Sequence, residues 1–187
     1  MKKLIIIEGN DNSGKDTLIH GLENHLNNKD CKVYHSIAPK SKNPKDAAIE
    51  QWNFFIKMID DILIDKESVI ILNRAWQGEY VYGCLYRGRN ENDVIKDIEY
   101  LDKLTQEYMD VYYVQLIADP IVLKNNEDGL SISQGKLDKI ENEKQLFIEM
   151  FNHSKINKVL VEVTENGNYR SKDSIFKQVI NFIENDK

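Results

Sequence analysis

A chain of 187 residues, 41% hydrophobic and 30% charged, is long enough for one well-buried core and short for two domains. Its net charge of −6 argues against the dense basic surface with which proteins grip long nucleic acid, and leaves small anionic ligands open. Cys31 and Cys84 stand alone, with no CxxC and no neighbouring His at metal-ligand spacing, so both are expected to be reduced thiols in a cytoplasmic protein.

The opening MKKLIIIEG sets two lysines before an apolar run, but Glu8 stops that run well short of the core of a secretory signal. No other stretch approaches the roughly 18 to 20 apolar residues that would span a bilayer, so no membrane partner is expected. Short β-branched runs then alternate with longer segments of helical period, the pattern of repeated βαβ units. In chain order the expected elements are a strand over Leu4–Glu8, a helix over Lys15–Lys29, a strand over Lys32–His35 and a helix over Asp46–Asp65. A strand over Val69–Asn73, a helix over Asn92–Met109, a strand over Val111–Ala118 and a helix over Leu137–His153 follow. A strand over Lys158–Val163 and a helix over Ser171–Asn185 complete the set. Triplets such as Ile56, Ile59, Leu63 and Ile95, Ile98, Leu101 mark one buried face on each helix. The expected architecture is α/β, a five-stranded parallel sheet with helices on both faces, in a single domain. Two irregular stretches, IAPKSKNPKD (37–46) and LKNNEDGLSISQGK (123–136), follow strands, and ligands of a parallel sheet bind beyond the carboxyl ends of its strands.

From Gly9 the chain reads G-N-D-N-S-G-K, the glycine, four residues, glycine, lysine spacing of a nucleotide-binding loop, with a strand before it and a helix after it. Gly9 and Gly14 let the backbone turn its N–H groups inward, Asn12, Ser13 and Thr17 share the cradle, and Lys15 adds a point charge at the β and γ phosphates. Asp16 stands where a Ser or Thr hydroxyl normally meets magnesium. The magnesium ligand at this position is therefore a carboxylate, a water or nothing. The whole chain holds four arginines, and Arg74, Arg87 and Arg89 fall in one stretch after the third strand. The planar fork of arginine suits phosphate oxygens, so Arg74 and Arg87 are candidates for the acceptor phosphate and the transferring group, with a solvated face the alternative for Arg89.

These residues carry a resemblance. The strand ending Glu8-Gly9, the loop after it, and Asp11 two residues beyond Gly9 resemble the thymidylate kinases and their deoxynucleoside kinase cousins. So does the segment NRAWQGEYVY, whose Asn73, Arg74, Gly78, Glu79 and Tyr82 match the Asp-Arg-aromatic, small, polar and Tyr positions of thymidylate kinases. The run GEYVYG followed by YRGR is similar to the deoxynucleotide kinases of bacteriophages, some of which also carry Asp after the loop lysine. The resemblance implies a three-layer P-loop kinase fold and transfer of the γ-phosphoryl group of ATP, with Mg2+, to a deoxynucleoside monophosphate, dTMP foremost. It implies Lys15, Arg74 and Arg87 as catalytic residues and Asp11 beside the acceptor sugar. An aromatic of the second helix would stack on the acceptor base, Phe55 foremost beside Trp52 and Phe54, with Tyr82 and Glu79 completing the base pocket. It further implies a lid over 123–136, here without arginines, an adenine site near TENGN (164–168), and a homodimer, which thymidylate kinases commonly form.

Relatives that keep the hydroxyl after the loop lysine also keep an Asp before the arginine. This chain has changed both, to Asp16 and Asn73. Asp16 is then expected to hold magnesium or its waters, with a plain helix cap as the alternative. Two other readings stay open: a deoxynucleoside kinase with Glu8 as base on a 5′-hydroxyl, and a nucleotide-binding protein that has lost catalysis.

Overall fold

The computed structural model describes residues 1–26 and 30–185. At its centre lies β1 (Lys2–Gly9), in a five-stranded sheet ordered β2-β3-β1-β4-β5, every pair parallel. The other strands are β2 (Cys31–His35), β3 (Val69–Asn73), β4 (Met109–Ile117) and β5 (Asn157–Glu162). The run Leu4–Ile7 is apolar without interruption because β1 is covered on both faces, as parallel strands are. Leu4 and Ile6 join Ile70, Leu72 and Tyr113 against α2 (Pro44–Ile64) and α4 (Glu91–Gln106). Ile5 and Ile7 join Ile71, Val114 and Leu116 against α1 (Lys15–His25) and α7 (Lys172–Glu184). All four β1 side chains are fully buried, each worth about 2 kcal/mol in removed apolar surface. The three-layer α/β arrangement is the one the periodicity implies.

From β1 the chain runs through α1 out to the edge strand β2, whereas from β3 it crosses to β4 on the other side of β1. The direction of winding therefore reverses between β1 and β3, which opens a crevice at their carboxyl ends. The phosphate loop leaves β1 there, and Arg74 leaves β3 there.

Four elements escape the periodicity. Helix α3 (Gly78–Arg87) is short, and its two glycines and bulky Tyr80, Val81 and Tyr82 are weak helix formers, although every residue from Gly78 to Gly83 is buried. Packing against its neighbours holds it, and Gly88 in the left-handed conformation ends it. A short helix α5 (Pro120–Asn125), capped by Asp119 on the Ile121 N–H, and the antiparallel pair β6 (Thr164–Glu165) and β7 (Asn168–Tyr169) are the others. Helix α6 (Leu137–His153) has the expected bounds. The first helix reaches His25 and Leu26 caps it; the expected continuation over 27–29 lies outside the described residues. Among the described residues no helix is long and apolar enough to cross a membrane.

Candidate active site

The loop between β1 and α1 needs its glycines for space and for backbone angle. A Cβ on Gly9 (φ 154°) would stand 2.7 Å from the carbonyl oxygen of Leu116 and from Ser13 Oγ, and Gly14 sits at φ 85°. Lys15 is buried, and its Nζ donates to the carbonyls of Gly9 (3.1 Å) and Asn10 (2.7 Å). Burial pushes its pKa down to about 7, Arg74 adds to the fall, and Asp11, Glu8 and Asp16 oppose it. Asn12, Gly14, Asp16 and Thr17 line a cavity of about 790 Å³ that runs between α1 and α7. Ser13 lines it too, but its hydroxyl is turned into the protein without a partner, so its backbone is what the loop presents.

The far wall of this cavity includes Phe176 and Tyr169. Asn166 (φ 51°) and Gly167 (φ 75°) form the two-residue turn that sets β7 back against β6, and from there the Tyr169 hydroxyl donates to the Asn12 carbonyl at 2.7 Å. The adenine expectation pointed to this region. The hairpin itself was legible as Asn-Gly between two short extended runs, a signal the periodicity reading passed over.

Asp16 does not cap α1. Gly14 is the N-cap, no side chain bonds the free N–H groups, and the Asp16 carboxylate instead accepts from Asn73 Nδ2 at 2.7 Å. The two residues that differ together from the thymidylate kinase pattern thus touch. Among the described residues no three or more His, Cys, Asp or Glu side chains form a metal-binding group. A single exposed carboxylate with Thr17 beside it suits a hard cation that keeps most of its waters, so these residues fit magnesium.

On the other side of the loop Arg74 sits at φ 67°, a left-handed conformation that costs a non-glycine residue about 1 kcal/mol and throws its side chain back across the ends of β1 and β3. Its guanidinium donates to the Gly9 carbonyl (2.9 Å) and to Asp11, and lies 4.9 Å from the centre of the Tyr82 ring. Glu8 is fully buried beneath it. One Glu8 oxygen accepts from the N–H groups of Ala75 (2.7 Å) and Gly78 (3.1 Å), and the other is 3.7 Å from Arg74. Burial raises the Glu8 pKa, and Arg74 opposes the rise. Glu8 therefore braces the carboxyl ends of β1 and β3 through one oxygen, and its other oxygen is buried without a hydrogen-bond partner.

Asp11, Arg74, Glu79, Tyr82 and Arg87 all line one cavity of about 170 Å³, as the sequence reading grouped them. Phe55 does not. Its ring is spent in the core, edge-on to Trp76 at 6.0 Å, because the face of α2 that carries Phe55, Met58 and Ile59 is the face that covers the sheet. Neither Trp52 nor Phe54 lines the cavity; the α2 residue that does is Gln51, one turn earlier and buried. Glu79 is held by Arg87 and lies 3.7 Å from Arg89, and Arg89 in turn donates to Asp97 at 2.6 Å, so Arg89 belongs to a half-buried ion-pair network and not to a solvated face. The hydroxyl of Tyr82 is buried without a partner at this wall.

Segment 123–136 begins as α5 and continues as a turn organised by Glu127, which accepts from the N–H groups of Gly129 and Ser131 and from the Ser131 hydroxyl. It brings Ile132 to the 170 Å³ cavity, which Ile37 also lines. Sequence reasoning also missed Glu143, which takes hydrogen bonds from Asn10 of the loop (2.9 Å) and from Tyr86. A carboxylate among Ile140, Phe147 and Met150 on the buried stripe of α6 was its signal.

No model of a known protein family matches the sequence, and no curated protein matches it. Solved structures do. The YorR protein of Bacillus subtilis, solved in complex with phosphorylated GDP, aligns with a TM-score of 0.68 at 20% identity over 97% of this chain and 95% of that one. Thymidylate kinase from Ehrlichia chaffeensis aligns at 0.63 and 15% identity over 98% and 100%. The chain has the fold of the thymidylate kinases. The same enzyme of Candida albicans aligns at 0.64 and 18% identity over 98% and 92%, again across nearly the whole length of both chains.

Proposed function

We propose that the chain is an ATP-dependent deoxynucleoside monophosphate kinase, with dTMP the first acceptor to test. One observation carries the reading: Arg74, held in a left-handed conformation against Gly9 and Asp11, stands at the phosphate loop on the side of a second cavity lined by Asp11, Glu79, Tyr82 and Arg87. A loop that cradles one phosphate chain and an arginine that faces a separate pocket suit two phosphorylated substrates meeting end to end.

In this reading Lys15 and the loop N–H groups hold the donor phosphates, and Asp16 with Thr17 would hold magnesium. Bound there, the ion neutralises charge on the phosphate oxygens. Arg74 and Arg87 balance charge at the acceptor phosphate, and Asp11 orients both Arg74 and the acceptor sugar. Glu79 and Gln51 offer hydrogen bonds to the acceptor base in place of a stacking ring. Ile132 and Ile37 close the acceptor side against water. Positioning and charge neutralisation suffice for in-line transfer, with no covalent enzyme intermediate. The burial of Glu8 disfavours the nucleoside kinase reading, which needs that carboxylate at a 5′-hydroxyl.

The test is a panel of nucleosides and nucleoside monophosphates with ATP and magnesium, read as ADP formed. Turnover is expected with a deoxynucleoside monophosphate. Turnover with nucleosides alone overturns the acceptor, and ATP binding without ADP from any acceptor overturns the activity.

A further inference from the structure

We propose that His35 is a positioning residue of the phosphoryl-donor site, fixing the Asp16 carboxylate through Asn73. His35 and Asn73 are the last paired residues of β2 and β3, and the next residue, Ser36, donates its N–H to the Asn73 carbonyl at 3.1 Å. Asn73 Nδ2 donates to Asp16 at 2.7 Å and lies 3.2 Å from His35 Nδ1.

The carboxylate settles which way the amide faces, since the amide oxygen in that place would meet an anion. Nδ2 carries two hydrogens, one for each neighbour, so His35 Nδ1 must be the lone-pair nitrogen and its proton sits on Nε2. An Asp at position 73 would set a second anion 2.7 Å from Asp16 and would turn His35 to the opposite tautomer, with Nδ1–H donating, so the orientation of this array depends on the Asn73 amide. In a solvent-reached place one such bond contributes only about 1 kcal/mol. Here the array spans two strand ends and the first turn of α1, and thereby fixes the rotamer of an otherwise free carboxylate. Asn73 is the direct partner of the carboxylate and His35 acts one bond further out, so loss of His35 is expected to change metal affinity by about fivefold, the equivalent of one such bond.

This inference rests on reading the donor loop as a magnesium-nucleotide site, and two measurements test it. Nitrogen NMR of the free protein at pH 8 is expected to show His35 with the proton on Nε2; a proton on Nδ1 overturns the array. Calorimetry of ATP binding over a magnesium series then compares the unaltered protein with His35→Leu and His35→Asn, after matching melting temperatures verify folding. His35→Leu is expected to raise the magnesium needed for half-maximal enhancement of ATP binding about fivefold, with ATP binding in chelator unchanged. His35→Asn should recover most of it, because its amide oxygen stands where Nδ1 stood. An unchanged magnesium requirement in His35→Leu, or no recovery in His35→Asn, defeats the role of His35 and leaves the kinase reading standing. If ATP binding by the unaltered protein is indifferent to magnesium, the donor-site reading falls and this inference falls with it.

Discussion

The groups proposed to hold the donor phosphates come from one unbroken stretch, Asn12–Thr17, at one end of a cavity whose remaining walls other elements supply, whereas the proposed acceptor side gathers Asp11, Gln51, Arg74, Glu79, Tyr82, Arg87 and Ile132 from separate segments. The difference follows from what each side uses. Backbone N–H groups and a helix terminus bind phosphate wherever the chain can turn tightly, so glycine spacing is enough. A buried cluster of arginines and carboxylates is tolerated only when every charge finds a partner, and those partners come from wherever the fold brings them. The donor side is therefore a local device, and the acceptor side is a property of the packed molecule.

The comparison can be broken most severely at Lys15. Lys15→Ala is expected to lower turnover by about 10²- to 10³-fold in a protein that still folds, because the donor phosphates lose their main fixed charge. Ordinary turnover in that variant would remove the donor assignment.

Arg74→Lys is expected to lower kcat/KM for the acceptor by about 10²-fold while ATP affinity stays within a small factor, since a point charge cannot reproduce a fork held by Gly9 and Asp11. Equal losses for both substrates would show that the two sides are not separable at this residue.

Glu79→Ala should instead act on the fold. It leaves Arg87 without its carboxylate and takes one of two from Arg89, at a cost of about 3 kcal/mol in denaturant unfolding, with ATP binding by the remaining folded protein retained and acceptor binding weakened. Full stability would mean that the network is not what holds the acceptor wall.

The smallest effect concerns protons. The pKa of Lys15 in the free protein is depressed from 10.5 to about 7, and bound phosphates favour its charged form, so nucleotide binding must take up a proton above pH 7 and none well below it. ATP affinity should accordingly weaken as pH rises past about 7. Calorimetry at pH 8 in buffers of different ionisation heat is expected to show the uptake, and Lys15→Met should abolish it; equal heats in all buffers would contradict the buried neutral lysine.

The same contrast separates what was legible from what was not. Strand and helix positions followed from apolar periodicity, because each element packs by burying one face or, for β1, β3 and β4, both. Helix α3 was missed because it is short and rich in weak helix formers, so that only packing holds it as a helix. Arg74 and Arg87 stood out by arginine scarcity, and the pairing of Asp16 with Asn73 by their joint departure from a pattern. Phe55 was misjudged because an aromatic on α2 looks the same whether its face meets a ligand or the sheet. Gln51 was missed for the mirror reason, a polar residue on a helix that looks solvated until the fold covers it.

By itself the sequence determined a parallel α/β sheet and a phosphate-binding loop at the end of its first strand, because both rest on local chemistry: side-chain period, glycine freedom and one lysine. Only the tertiary structure decided which side chains line the acceptor cavity, that Glu8 is a brace, that Arg89 is half-buried in an ion-pair network, and that Asn73 joins Asp16 to His35. Those facts depend on residues far apart in the chain meeting at the reversal between β1 and β3, and on which face of each helix the sheet happens to cover.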